Sequence, residues 1–391
     1  MITGADAFEH ILHTQHLNFE RDPAVYNRMM RTLFGESILT TEGAAWKDRR
    51  RQVSPVYQHT ELQQYIPRMR TIAADVLVGW KHRSDKPLNL STEMNCLALK
   101  IAFELLCNQR PPERIIRSLT RKIRFCNRYH AVVPQSSNWL RFRWSLHRMN
   151  RYFLQVIEAR KKDPAPPQDL LSRILGLHEA CPSQAAHMST QGQLSELKTH
   201  LITGHETTAT ALSWLWYLLA LHSDYQRKMQ AELDTVLQGR PPNLEDLSRL
   251  PLTQAIVQET LRLYPPIWSI ARTNRCADVI TNVSIPAGSH LLLNILCLHR
   301  NPRYWSNPSR FYPERFLEGP APAAFAYLPF GNGAHRCIAN HLAFHEIILL
   351  TALMGQSFSF SLATQTAAPI PMLPCITLMP QHDIWLIPKT R

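Results

Sequence analysis

The stretch that decides the reading is "FGNGAHRCIAN", residues 330–340. Two glycines flank one residue, and a cysteine follows the second by four positions. Gly331 and Gly333 admit positive φ or a close backbone approach. The loop therefore delivers Cys337 to the start of "IANHLAFHEIILLTALM", an apolar helical pattern. A sulfur near a helix N-terminus, ringed by backbone N–H groups, is stabilised as thiolate. A buried cysteine in a turn is the bland alternative, and this stretch alone does not separate the two.

The other seven cysteines do not compete for the same explanation. No two of the eight are closer than ten residues, so no C-x-x-C zinc knuckle or redox motif exists. Most are expected to pack as small hydrophobes. The opening "MITGADAFEH" carries Asp6 and Glu9 and no basic run, unlike a signal peptide. Reduced thiols in a cytoplasmic setting are the expectation. With 45% hydrophobic residues over 391 positions the chain is globular. No window reaches the ~18 apolar residues of a membrane span. The nearest approach, "ATALSWLWYLLAL", reads as a buried helix.

Working outward, helical periodicity dominates. "LHRMNRYFLQVIEARKK" puts Leu146, Met149, Phe153, Val156 and Ile157 on one face. "LSELKTHLITGHETTATALSWLWYLLALH" runs without a proline and predicts a long central helix. "LEDLSRLPLTQAIVQETLRLY" predicts another helix, stopped by Pro265-Pro266. "DVITNVSIPAGSHLLLNIL" predicts a hairpin turning at Pro286-Ala287-Gly288. Proline clusters at 163–167 and 369–374 predict loops. There is no internal repeat and no linker. The expectation is one domain over 1–391, mainly α with a small β part.

Three further stretches carry chemistry. "ETLR" sets Glu259 and Arg262 at i, i+3 on one helix face, and "FYPERF" offers Arg315 as a third member. "TGHETT" places a glycine, an acid and threonines in the middle of the long helix, with Thr203, Gly204 and Thr207 on one face. Threonine hydroxyls there can bond the i−4 carbonyl and open the helix locally. A zinc reading of His205-Glu206 fails, because H-E-x-x-H needs a histidine where Ala209 stands.

In this order and spacing the stretches resemble the cytochrome P-450 family of haem-thiolate monooxygenases. Phe330, Gly333 and Cys337 match F-x-x-G-x-[RH]-x-C-x-[GA]. Glu259 and Arg262 match E-x-x-R; Gly204, Glu206 and Thr207 match [AG]-G-x-[DE]-T; Trp46 and Arg50 match W-x-x-x-R. Arg272, after "PPIWSI", stands where the family places a propionate-binding arginine.

The resemblance implies a haem b between the long helix and the cysteine-loop helix, with Cys337 as the axial thiolate. Trp46, Arg50, Arg272 and His335 would hold the propionates as hydrogen-bond donors. Phe330 would shield the sulfur. Glu259, Arg262 and Arg315 would form a buried supporting network. Glu206 and Thr207 would deliver protons to dioxygen at a kink beside Gly204. His200, Thr203, Ile267, Trp268, Ser269 and Ile270 would line a mostly apolar substrate pocket, with core packing the equal alternative for His200 and Trp268. The implied reaction is hydroxylation, epoxidation or oxidative coupling of a hydrophobic small molecule, in secondary metabolism. The alternative is a haem-binding member without turnover.

Three departures stand out. His335 occupies a position where arginine is common, and Ala339 one where glycine is commonest; neither change removes the site. The third is the early position of Trp46. The start resembles a strand end followed by the family's second helix, so the first helix, a strand and any membrane anchor are missing from the chain as given. An unpaired sheet edge and a weaker substrate entrance would follow.

The net charge of +13 is concentrated: residues 110–162 hold 14 Lys or Arg against Glu113 and Glu158. Solvated helix faces are the bland reading. The sharper one is a dock for an acidic carrier, a membrane with anionic lipids, or a carboxylated substrate. Peripheral membrane contact is then an option, and nothing supports nucleic acid. A second basic cluster, "WKDRRR", suits an acidic electron donor. No flavin or iron–sulfur module follows the haem loop. Electrons would come from NAD(P)H through a ferredoxin- or flavodoxin-type partner and its reductase.

Overall fold

A computed structural model describes residues 1–129, 137–177, 188–318, 322–364 and 369–391. It is mainly helical. Among the described residues the helices longer than ten residues are α1 (Gly43–Val53), α2 (Leu62–Lys81), α3 (Leu90–Cys107), α4 (Glu113–Tyr129), α5 (Ser137–Lys161), α6 (Thr190–Leu221), α7 (Ser223–Leu237), α8 (Pro251–Leu263) and α9 (Asn340–Ser357).

The centre is α6. Its 32 residues span ~48 Å at 1.5 Å per residue. Ser189 caps it by accepting the Gly192 N–H. From Gln193 to Leu219 every residue is buried except Thr203, Gly204 and Thr207. α3, α5, α8 and α9 pack around it. On α5, Met149, Phe153, Val156 and Ile157 are buried and Leu146 is half-buried, in line with the expected face.

The helix expected across 244–264 is two. Leu244–Ser248 opens on a capping box between Asn243 and Asp246, and α8 restarts at Pro251. Pro251 lacks the N–H that a continuous helix needs, yet fits a first turn. α8 ends at Leu263, before Pro265.

Among the described residues the β part is four small antiparallel sheets. β1 (Phe19–Arg21), β3 (Ser269–Asn274) and β6 (His290–Asn294) form one, with β3 in the middle. β2 (Leu88–Asn89) and β7 (Phe358–Leu362) flank β10 (Trp385–Thr390). β4 (Asp278–Ile280) pairs with β5 (Val283–Ile285), and β8 (Met372–Pro374) with β9 (Leu378–Pro380). The expected hairpin is therefore displaced. Its turn is Thr281–Asn282, both at positive φ, and the strand after Pro286–Gly288 pairs with β3 instead. Consecutive positive φ values give the turn whose twist suits a two-residue hairpin. The 369–374 proline cluster, expected as loop, ends in β8. Near the start, Ile2 bridges Leu293 of β6 in parallel, a strand end one residue long.

Buried hydrophobics form a large cluster among the helices and a smaller one around β1, β3, β6 and the N-terminal turns. The cysteine loop lies where the two meet: Phe330 packs on the first, while Ala326 and Leu328 belong to the second.

Candidate active site

The loop ahead of α9 is held by its own backbone. Cys337 N–H donates to Phe330 O at 2.9 Å, and Arg336 N–H to Gly333 O at 3.1 Å. Gly331 and Gly333 adopt φ of +69° and +72°. A Cβ on Gly333 would stand 2.1 Å from the Leu12 carbonyl oxygen, so no side chain fits there. That glycine serves the approach of the N-terminal segment.

The Cys337 thiol is raised by burial, with the Ala339 N–H and the Arg50 and Arg336 charges opposing. The residue is nevertheless accessible. Thr203, Gly204 and Thr207 are likewise accessible in the middle of a buried helix. The helix-terminus effect alone does not make a thiolate here; metal coordination is what deprotonates a thiol outright. Of the other described cysteines Cys96, Cys107 and Cys126 are core residues, Cys375 is half-buried and Cys276 and Cys297 are exposed. Cys181 lies outside the described residues.

Cationic groups converge near the loop. Trp46, on α1, is buried and its Nε1 has no partner. Its ring lies 4.3 Å from that of His335. His335 Nε2 sits 3.2 Å from Glu42 Oε2, while its Nδ1 is buried and unpartnered. Arg50 stacks on Trp46 at 5.6 Å and donates to Arg336 O at 3.0 Å. Arg272 is 4% exposed and donates to the Ala271 carbonyl alone among the recorded bonds. Strand register sets Arg21 directly opposite Arg272. Arg21 donates to Ile38 O at 3.0 Å and Thr41 O at 2.7 Å, with Glu42 at 3.6 Å.

Like charges facing each other across strands are destabilising, and buried cations need anions. Among the described residues Glu42 is the one carboxylate paired to this group. The orphaned indole N–H of Trp46 and the surplus positive charge fit the two carboxylates of a haem. Motif reading did not include Arg21 or Glu42. Each becomes visible through the register of a three-residue strand and a contact to His335.

The Glu259 network is closed. Arg262 Nε and Nη2 grip the carboxylate at 2.7 and 2.9 Å, both side chains being fully buried. Arg315 Nε approaches it at 3.1 Å and Tyr312 N–H at 2.9 Å. Arg262 also donates to His299 O and Pro308 O, each at 2.7 Å. Burial holds His299 neutral, its pKa pushed down to about 3, and its Nε2 accepts the Leu328 N–H at 2.8 Å. Leu328 O in turn accepts Gly331 N–H at 3.1 Å. The network thus runs, hydrogen bond by hydrogen bond, to the loop that presents Cys337.

On α6, Glu206 is 4% exposed, and burial pushes its pKa up to about 7 against a hydrogen bond from Asn127. Asn127, on α4, also donates to Thr377 Oγ1 at 2.8 Å and accepts from Ile376 N–H at 2.9 Å. It ties the acid to a second helix and to the turn before β9. Nothing in the sequence around Asn127 marks it. Thr207 Oγ1 donates to Thr203 O, and Thr203 Oγ1 to Thr199 O, both at 2.8 Å. The hydroxyls bond the i−4 carbonyls as expected, but the expected opening is absent: α6 is continuous through Gly204. A Cβ at Gly204 would meet only Leu106 at 4.0 Å, which leaves room over that face.

The residues read as pocket lining divide. Thr203 shares the accessible face. His200 is buried in a chain of its own, 2.7 Å from Tyr57 Oη and 3.3 Å from Glu196, whose other contacts are Arg49 at 2.8 Å and Ile38 N–H. Trp268 Nε1 donates to Cys375 O at 2.9 Å and fastens the same turn that Asn127 holds. Ile267 is exposed, and Ser269 and Ile270 are half-buried at the start of β3.

The family model for cytochrome P450 matches residues 1–387. The Streptomyces melanosporofaciens cyclooctat-9-en-7-ol 5-monooxygenase is 29% identical over 83% of this chain and 72% of its own length. Cyclooctatin synthase of the same organism is 29% identical over 83% and 73%. A cytochrome P450 of Mycobacterium tuberculosis is 28% identical over 100% of this chain and 87% of its own.

Proposed function

Because the chain belongs to the cytochrome P450 family, we propose that Cys337 is the axial ligand of its haem, and that the enzyme hydroxylates, epoxidises or couples a largely hydrophobic small molecule. The observation that carries the ligand assignment is the orphaned indole N–H of buried Trp46 beside the Arg21–Arg272 opposition. When bound, the haem thiolate supplies the activation of dioxygen.

The chain's own residues do the rest. Trp46, Arg50, Arg272 and His335 neutralise the propionates. Arg21 holds the 38–42 loop and adds positive potential. The Glu259–Arg262–Arg315 network keeps the cysteine loop in place. Phe330 covers the sulfur. Glu206, protonated about half the time near neutrality, holds a proton beside the accessible Thr207 face. The names of the Streptomyces relatives support a hydrophobic substrate and a role in secondary metabolism. The chain acts as one unit and takes electrons from a separate acidic protein. Arg51 and Arg336, both exposed near the cysteine loop, favour that docking face.

The test is the difference spectrum of the reduced protein with carbon monoxide. A thiolate-type band that Cys337→Ala abolishes supports the reading; a band that survives the substitution refutes it. A spin-state shift on titration with hydrophobic ligands separates a working enzyme from a haem binder without turnover.

A further inference from the structure

Helices α4 and α5 frame a groove that the oxidation chemistry does not use. Ser118 and Lys122 face Arg148, Arg151, Tyr152 and Gln155 across a space of about 350 Å³. Some cations of the basic segment have acids: Arg110 with Glu104, Arg117 with Glu113, Arg124 with Asp383 and Arg160 with Asp169. Lys122, Arg148 and Arg151, like Arg114, Arg141 and Arg143, have none among the described residues; the first three are set apart by sharing one groove.

The crowding is real. Burial lowers the Lys122 ammonium, and Arg148 and Arg121 lower it further. Lys122 and Arg148 both lie against one indole, Trp144, at 5.7 and 5.6 Å from its ring. Trp144 is 57% exposed and Leu140, four residues before it on the same helix face, 75%. A singly exposed apolar side chain is ordinary, but here an indole and a leucine stand together on one helix face beside the cations. Here three uncompensated cations line a groove with hydrogen-bonding side chains, and an aromatic and an aliphatic residue project beside it.

We propose that this face docks on an anionic phospholipid surface, with a lipid phosphate seated among Lys122, Arg148 and Arg151 and with Trp144 and Leu140 at the boundary of headgroups and acyl chains. Cations next to exposed tryptophan and leucine are what such a boundary selects. The contact is peripheral, since no described helix is long and apolar enough to cross a membrane. The inference is independent of the ligand assignment at Cys337.

The experiment is co-sedimentation of the haem-loaded chain with vesicles of phosphatidylcholine, with and without phosphatidylglycerol. Binding is expected only with phosphatidylglycerol, weakening as salt rises. Lys122→Gln, Arg148→Gln and Arg151→Gln should each reduce partitioning roughly fivefold. Leu140→Ser and Trp144→Ser should reduce it while leaving its salt dependence in place. The haem absorption of every variant reports that the fold is intact. Equal binding to both vesicle types, or charge variants that bind like the parent, would overturn the proposal. So would pyrophosphate that binds the groove in solution while phosphatidylglycerol vesicles do not, since the groove would then serve a soluble phosphate or a phosphate-bearing carrier.

Discussion

Two buried charge clusters stand on either side of the cysteine loop, and they are built on opposite plans. Around Glu259 every charge is answered: one carboxylate takes two arginines and a backbone N–H, and Arg262 spends its remaining donors on carbonyls. Around His335 the charges are left over. Arg21 faces Arg272, the Trp46 indole N–H has no acceptor, and Glu42 is the one acid paired there among the described residues. The first cluster is a structural brace whose charges are paired within the polypeptide, although the ring N–H groups of His299 and Trp305 beside it have no partner. The second carries surplus positive charge, which suits the propionate-binding role proposed for it.

The largest expected effect breaks the brace. Arg262→Ala leaves the buried Glu259 with only Arg315 and the Tyr312 N–H, which should destabilise the fold by about 3 kcal/mol in urea unfolding. The loss should appear with or without haem. If it appears only in the haem-loaded protein, the brace belongs to the cofactor site and the contrast collapses.

Next is Glu206, between the two plans with a single side-chain donor. Its folded pKa of about 7 stands above the ordinary 4.5. Its stabilising contribution is therefore fully present below about pH 4.5 and lost as pH rises through about 7. Linkage puts that swing at about 3 kcal/mol. Glu206→Gln should flatten this part of the melting temperature against pH. The comparison with the parent cancels Lys198 and Glu346, both of which titrate near 8. An unchanged slope would show that the acid is better solvated than its burial implies.

Arg272→Ala tests the second cluster. Losing one charge-assisted hydrogen bond should weaken haem retention on the order of 10–100-fold. The haem-free protein should stay within about 1 kcal/mol of the parent, because relief of the Arg21–Arg272 opposition offsets lost packing. Transfer of haem to an acceptor protein and unfolding of the apoprotein read the two quantities separately. A large loss of apoprotein stability would make this cluster a second brace.

The smallest effect sharpens the picture of Glu206. Asn127→Ala removes the hydrogen bond that lowers its pKa, so the midpoint of the Glu206-dependent transition should move to higher pH. The shift should be on the order of 1 kcal/mol. A downward move would mean that water replaces the amide with something to spare.

Much of the site was legible because its parts are local. Gly331, Gly333 and Cys337 lie within one loop, Glu259 and Arg262 within one helical turn, and Trp46 and Arg50 within another. Backbone dihedrals and i, i+4 spacing act over these distances, so a motif is enough to place them. The misreadings also have local causes. Pro251 divided a helix whose hydrophobic period runs straight through it. Asn282 took a hairpin turn that Pro286–Gly288 advertised more loudly. Thr203 and Thr207 spent their hydroxyls on helix carbonyls and left α6 unbroken.

By itself, then, the sequence determined the helical class, the cysteine-bearing loop and the acids and cations attached to named turns, since each follows from interactions within a few residues. Tertiary structure alone decided that Arg21 faces Arg272, that Glu42 pairs with His335, that Asn127 reaches Glu206, and that Lys122 meets Arg148 over Trp144. These depend on strand register and helix packing between residues up to 293 apart in the case of Glu42 and His335, where no periodicity carries information. Long-range electrostatics sees which charges have been left without a partner only when the chain has closed on itself.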